Sequence, residues 1–181
     1  MLKGQDIVVA LKAHLWPEVA PWSYERLARS VGLSASQAHA SLVRMAEADL
    51  YRAEDRTLRV YTFLDFVAYG VPHVFPGAAG AVVRGLPTSH AAPALVELQM
   101  YGDPYVWADD DGVLGRGVKP LHPCVPRAAR ADRRLYAALA AIDAFRVGRA
   151  RDRAAAREVL EHVLAEPGHE SRWLAECALA Q

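Results

Sequence analysis

Histidine and cysteine side chains in the middle of the chain have the chemistry of zinc ligands. His122 and Cys124 are separated by one residue, and His73 or His90 could complete a site with them. A structural zinc site usually takes its four ligands from two paired motifs, and this sequence has no second pair. Pro123 favours a loop at this position, so we expect no bound metal.

Side chains that could perform catalysis are also few. Thr88, Ser89 and His90 place hydroxyl groups next to an imidazole, but neighbouring residues of a strand point to opposite faces. The acidic run 109–112 lacks the alternating acids and closing glutamate of a calcium loop, and we expect a hairpin turn there. Glycine-rich phosphate loops and nucleophile elbows do not occur. The sequence therefore predicts a protein that is not an enzyme and uses no cofactor.

A third set of polar side chains has the chemistry of double-stranded DNA recognition. In a helical projection with 100° of rotation per residue, one predicted helix has Ser36, Gln37 and Arg44 on its outward face, with the small residue Ala40 between them. Serine and glutamine can hydrogen-bond to base edges, and arginine can bind guanine or phosphate. His39, at the flank, is either a half-buried packing residue or a base contact. The predicted DNA-contact set is Ser34, Ser36, Gln37, His39, Ala40, Ser41, Arg44, Arg52, Arg56 and Arg59.

Three predicted helices must position this set. The first spans 2–16, is ended by Pro17, and has one apolar stripe formed by Ile7, Val8, Leu11 and Leu15. The second begins after the N-cap candidate Ser23 and stops at Gly32. The third begins after Ser34 and continues to Asp49. Two helices joined by a short turn containing glycine form a helix-turn-helix.

Residues 50–60 form two short segments of alternating apolar and polar residues around a polar turn. This pattern predicts a short hairpin, or wing, after the third helix. Arg52, Arg56 and Arg59 on this hairpin either bind phosphates beside the groove or belong to a solvated surface.

The segment SYERLARSVGLSASQAHASLVRMAEADLYR resembles the winged helix-turn-helix of bacterial MarR- and ArsR-type transcriptional regulators. The shared features are a small residue in the second helix, Gly-Leu-Ser at the turn, and an acidic residue followed by leucine before the wing. The resemblance covers about residues 5–60. It implies a DNA-binding fold in which the third helix enters the major groove.

The rest of the chain has a different pattern. A helix is expected over 61–69, ending at Gly70, and is followed by a strand at 81–86 and a hairpin of 105–107 with 113–121. Beyond the N-cap candidate Asp132, helices are expected to Gly148 and over 152–164, then a short amphipathic turn over 171–180. The fold prediction is α+β and mainly helical, with a winged helix-turn-helix domain at 1–60, and a middle β-containing region and C-terminal helices at 61–181. The inner face of the first C-terminal helix should be core or dimer interface: Leu135, Leu139, Ile142 and Phe145.

Charge is balanced overall but uneven along the chain. Twenty-one basic and 21 acidic residues cancel, whereas 127–157 holds nine arginines against three acids. That window is either a solvated helix face with ion pairs, or a contact for nucleic acid or an acidic partner. Five of its arginines are expected at the surface: Arg146, Arg149, Arg151, Arg153 and Arg157.

The two cysteines, far apart in sequence, predict no disulfide framework, and the apolar runs are too short for a membrane span or secretory signal. We expect a cytoplasmic protein that does not interact with membranes. The favoured function is a homodimeric DNA-binding transcriptional regulator, acting as a repressor. The alternative is an antitoxin or adaptor that binds a protein partner encoded nearby.

Overall fold

The structure, a computed structural model, describes residues 1–17, 21–98 and 102–165. Its architecture is α+β and mainly helical. Among the described residues, no helix combines the length and apolarity required to cross a membrane. The helices are α1 (Gly4–His14), α2 (Tyr24–Val31), α3 (Ala35–Glu47), α4 (Val60–Asp65), α5 (Val71–Val74), α6 (Val125–Ala131), α7 (Arg133–Val147) and α8 (Ala150–Ala165), and the strands are β1 (Tyr51–Arg52), β2 (Thr57–Leu58), β3 (Ala79–Thr88), β4 (Tyr105–Ala108) and β5 (Val113–Val118).

The three predicted N-terminal helices and the hairpin after them are confirmed. Helix α1 is two residues shorter at each end than its apolar pattern predicts. Strands β1 and β2 pair antiparallel, with Tyr51 opposite Leu58. The element order to residue 58 is therefore three helices followed by a two-stranded hairpin.

The helix predicted to end at Gly70 continues past it. A π-helical segment, Phe66–Gly70, joins α4 to α5 without a break in the helical backbone. A Cβ at Gly70 would lie 2.6 Å from the Phe66 ring, so the glycine makes room for an aromatic side chain. Its role here is packing, and the prediction of a helix stop was wrong.

The three longer strands, β3, β4 and β5, form a closed three-stranded barrel. Strand β3 pairs antiparallel with β5 through its first half and with β4 through its second half. Strands β4 and β5 pair in parallel, with Tyr105 opposite Arg116. The strand predicted at 81–86 is confirmed and is longer than expected. The hairpin predicted between 105–107 and 113–121 is wrong, because both segments run antiparallel to β3 and therefore parallel to each other.

Glycine makes this closure possible. A Cβ at Gly85 would lie 2.1 Å from the Trp107 carbonyl oxygen, and one at Gly115 would lie 2.3 Å from the Pro104 carbonyl oxygen. Strands approach this closely only where no side chain intervenes. The segment 109–112, expected as a hairpin turn, connects β4 to β5 and is held to α6 by two Arg130–Asp109 hydrogen bonds of 2.7 and 3.1 Å.

Helix α7 lies in the centre of the molecule. Asp132 caps it by accepting hydrogen bonds from the backbone N–H groups of Arg134 and Leu135, as predicted, and Gly148 follows its last residue. A single apolar core continues across residue 60, from Leu11 and Leu58 to α7 and α8. Helix α6 was not predicted, and the turn expected over 171–180 lies outside the described residues. The four predicted inner-face residues of α7 are buried within this chain: Leu135, Leu139, Ile142 and Phe145.

Arg146 is buried, although the sequence placed it at the surface. It pairs with Asp143, which is 1% exposed, and donates to the carbonyl oxygens of Phe75 and Lys119 at 2.7 and 3.1 Å. Asp143 also accepts hydrogen bonds from Trp107 Nε1 at 2.6 Å and Thr88 Oγ1 at 3.0 Å. Helical periodicity places Asp143 within reach of Arg146, but it could not identify the partners on β3, β4 and distant loops.

Candidate nucleic-acid interface

The turn between α2 and α3 is fixed at both sides by hydrogen bonds. Ser23 caps α2, and Gly32 follows it in the left-handed region at φ 74°. Ser34 Oγ accepts from the Gln37 N–H at 3.2 Å, while Gln37 Oε1 accepts from the Ser34 N–H at 2.9 Å. This reciprocal capping box orients the first turn of α3. It also occupies the Gln37 carbonyl oxygen and leaves the side-chain amide N–H groups as donors.

The first turns of α3 expose the polar residues expected to contact DNA. Ser34, Ser36, Gln37 and His39 are exposed, and Ala40 is half-buried. A small residue at position 40 leaves space for a close approach to this face. Serine, glutamine and histidine side chains can all hydrogen-bond to base edges.

Aromatic side chains connect α3 to the hairpin through the exposed Tyr24 and the buried Trp22. The ring of His39 meets the edge of Tyr24 at a centroid distance of 5.0 Å, and Tyr24 meets Trp22 at 5.5 Å. The Arg56 guanidinium lies over Trp22, 4.9 Å from the ring centroid. We call Trp22, Tyr24 and His39 the aromatic row. His39 packs on Tyr24 but is exposed rather than half-buried, and its role as a base contact stays a prediction. Sequence reasoning missed Trp22 and Tyr24, although both flank the N-cap of α2.

Two residues of the predicted set do not face outward. Ser41 is fully buried, and its hydroxyl lies within hydrogen-bond distance of Gln5 Nε2 and the Arg44 guanidinium. Arg44 binds the buried carboxylate of Asp6 through two hydrogen bonds of 2.6 and 2.8 Å, which raise the pKa of the guanidinium. The prediction that Ser41 and Arg44 face DNA was wrong, because α1 packs against this side of α3 and supplies Asp6.

The hairpin arginines are exposed, but each has a partner. Arg52 lies 3.3 Å from Asp55, and Arg59 lies 2.9 Å from Asp49. Arg56 donates to the Trp22 carbonyl oxygen at 3.4 Å as well as stacking on its ring. Exposed ion pairs contribute between 0 and about 1 kcal/mol, so phosphate oxygens can replace these carboxylates at little cost.

His14 connects the hairpin to the C-terminal helix. Its Nδ1 accepts a hydrogen bond from the Leu58 N–H at 3.4 Å, which leaves the proton on Nε2, 3.1 Å from the Leu164 carbonyl oxygen. The ring is 4% exposed, and burial lowers the pKa of His14, in the same direction as the nearby charge of Arg134. The neutral imidazole therefore joins β2 to α8.

The arginines of the arginine-rich window, 127–157, lie in different environments in the structure. Arg134 and Arg146 are buried, and Arg157 pairs with Glu161 at 2.9 Å. Arg127 is exposed, and its guanidinium lies 3.4 Å from where a Cβ on Gly32 would be, beside the α2–α3 turn. The sequence did not associate this arginine with the turn, because 95 positions separate the two residues.

The side chains considered for metal binding and catalysis all lie in the part of the chain that the structure describes. No group of three or more histidine, cysteine, aspartate or glutamate side chains there could hold a metal ion. Ser89 Oγ and His90 Nε2 are buried, and neither atom hydrogen-bonds to a described residue. Comparison with protein-family models, curated proteins and solved structures found no match to this chain.

Proposed function

We propose that this chain is a DNA-binding transcriptional regulator that acts as a repressor. In this proposal α2, the turn and α3 form a helix-turn-helix, and β1–β2 is the wing of a winged helix. The observation that carries the proposal is the set of exposed polar side chains on the first turns of α3, Ser34, Ser36, Gln37 and His39, with the exposed Arg56 held on the hairpin through the buried Trp22. Helix α3 would place amide, hydroxyl and imidazole groups at base edges while the hairpin binds phosphates.

Homodimerisation belongs to the same proposal. A single α3 reads one half-site, and two copies related by a two-fold axis would read half-sites about 34 Å apart. The face of α7 expected to be core or dimer interface is core within one chain, so the dimer contact must use another surface. Sedimentation of the protein with and without its DNA tests this part, and one chain per site would contradict it.

Binding to the DNA upstream of the protein's own coding sequence tests the function. We expect a labelled duplex from this region to bind at low salt more tightly than a shuffled duplex of equal length. Gln37→Ala should reduce the difference in affinity between the two duplexes. Arg153→Gln, at an exposed position on α8, should leave that difference unchanged. No binding to the upstream duplex at low salt would overturn the proposal.

Charge around α3 favours a second candidate. Four arginines and four acids cancel within residues 34–59, so the segment that holds α3 and the hairpin has no net charge. An antitoxin or adaptor that binds a protein partner would not need a positive surface. Its test is co-expression with the product of the neighbouring gene. A stable complex, with no DNA binding by either the free chain or the complex, would favour it over the regulator.

A further inference from the structure

A cleft on the C-terminal side of the molecule has the charge and shape of an anion-binding site. Its volume is about 280 Å³, just below the range of about 300–1,000 Å³ typical of small-molecule pockets. It lies between the end of β3, the start of β4, strand β5 and the α7–α8 junction. The side chains that give it its chemistry are His90, Tyr105, Arg116, Arg149, Arg151 and Asp152.

Two of the three arginines in the cleft have no carboxylate partner within the described residues. Arg116 lies 3.3 Å from Asp103, whereas no described carboxylate pairs with the side chains of Arg149 and Arg151. The carboxylate of Asp152 accepts from the Arg149 backbone N–H at 2.8 Å, at the start of α8. Arg149 and Arg151 therefore bring two guanidinium groups to the same concave surface without local neutralisation by an ion pair.

His90 lines the same cleft. Its ring meets Tyr105 edge-on at a centroid distance of 4.7 Å, and Nε2 is buried without a hydrogen bond to any described residue. The residue before it, Ser89, has φ 53°, a left-handed conformation that a serine rarely adopts. Strain of this kind is maintained where the surrounding structure holds a side chain in place, and ligand sites are a common location for it.

We propose that this cleft binds a small phosphate monoester. A phosphate monoester has three terminal oxygens, one more than a carboxylate, and these can accept from both guanidinium groups. The positive end of the α8 dipole adds to the attraction. Asp103 and Asp152 at the rim can accept from a hydroxyl or amino group on the remainder of the molecule. The proposal does not depend on whether the chain binds DNA.

Calorimetric titration of the full chain tests the proposal with three probes: inorganic phosphate, glycerol 3-phosphate and malonate, each at constant ionic strength. We expect glycerol 3-phosphate to bind at least tenfold more tightly than malonate. The double variant Arg149→Gln, Arg151→Gln should lose at least tenfold in affinity. Arg133→Gln with Arg153→Gln is the matched control, because both arginines are exposed and outside the cleft, and it should retain the affinity.

His90→Phe gives a second measurement, because it keeps an aromatic ring beside Tyr105 and removes the ring nitrogens from the lining of the cleft. We expect weaker binding of glycerol 3-phosphate with an unchanged circular dichroism spectrum. No binding of the phosphate probes to the wild-type chain would overturn the proposal, as would equal losses in the double variant and its control. Competition by a DNA duplex for the cleft, with equal losses of duplex affinity in the cleft variants, would assign the site to nucleic-acid backbone and also overturn it.

Discussion

Arg44 and Asp6 join α3 to α1 through two hydrogen bonds, Nε to Oδ2 at 2.8 Å and a terminal nitrogen to Oδ1 at 2.6 Å. The Asp6 side chain is fully buried, and its Oδ2 also accepts from the Lys3 backbone N–H at 2.8 Å. The arginine therefore neutralises a carboxylate that is inaccessible to water. This ion pair fixes the position of α3 relative to the rest of the fold.

Arg44→Ala should destabilise the protein by about 3 kcal/mol, because it leaves Asp6 charged and buried without a counterion. Urea denaturation measures the loss. Arg59→Ala is the matched control, since Arg59 and Asp49 form an exposed pair, and it should cost less than about 1 kcal/mol. Equal losses in the two variants would contradict a structural role specific to Arg44.

Base recognition should depend on Gln37 and phosphate binding on Arg56. Gln37→Ala should weaken binding to the specific duplex by about 1–3 kcal/mol and leave random DNA unaffected, whereas Arg56→Gln should weaken both. Fluorescence anisotropy with the two duplexes measures the difference. Equal effects of Gln37→Ala on both duplexes would mean that α3 does not read sequence.

The salt dependence of DNA affinity should show whether the arginines of the hairpin or those at the start of α8 neutralise DNA phosphates. Replacing Arg52, Arg56 and Arg59 with glutamine should flatten the slope of log affinity against log salt by roughly 0.9 for each phosphate that an arginine no longer neutralises. Replacing Arg149, Arg151 and Arg153 with glutamine should leave the slope unchanged, because we assign no DNA contact to these three arginines at the start of α8. A flattened slope in the second triple variant would place α8 in the DNA interface.

Stability should fall on acidification partly because of His14. Burial lowers the pKa of His14 below its unfolded value of about 6.5, so the unfolded chain takes up a proton that the folded chain excludes. The stabilisation that this lowered pKa contributes to the folded state is fully present above about pH 6.5. It decreases as the pH falls from there through the folded pKa, by at most about 1.4 kcal/mol per pH unit.

His14→Gln should reduce this pH dependence, measured as the free energy of unfolding in urea between pH 5 and 7.5. Burial lowers the pKa of His122 as well, so His122→Gln is the comparison that divides the effect between the two histidines. An unchanged slope in His14→Gln would show that the Leu58–His14–Leu164 connection does not exclude a proton.

Gly85→Ala should destabilise the three-stranded barrel by about 3 kcal/mol, because the new Cβ would lie 2.1 Å from a backbone oxygen of β4. Gly80→Ala, on the same strand, is the control. A Cβ at Gly80 would lie 3.4 Å from its nearest neighbour, the Gly117 carbonyl oxygen, so this substitution should be tolerated. Thermal denaturation of the two variants measures the contrast, and comparable melting temperatures would contradict the close approach at Gly85.

Local signals predicted the N-terminal elements well. Ser23, Gly32, Ser34 and Asp132 each act at a helix end, where hydrogen bonds join neighbours in sequence. Short-range chemistry of this kind can be recognised without knowledge of the fold. The same signals located the exposed first turns of α3.

Long-range partners explain the errors. Arg44 and Arg146 resemble surface residues in a helical projection, and both turn inward because acidic side chains are buried beside them. Strands β4 and β5 have the pattern of a hairpin, but each pairs antiparallel with β3, so they pair with each other in parallel. The aromatic row and Arg127 depend on the tertiary packing of α2 and α6, which sequence periodicity does not specify.

Closure of β3, β4 and β5 limits how this molecule can associate with others. An open sheet presents unpaired backbone groups that recruit strands from other chains, which leads to β-augmentation or to fibril growth. A closed sheet offers no such template, so within the described residues the short β1–β2 hairpin is the sheet with free edges. The barrel should therefore resist edge-to-edge aggregation, and any partner that meets it must recognise its side chains.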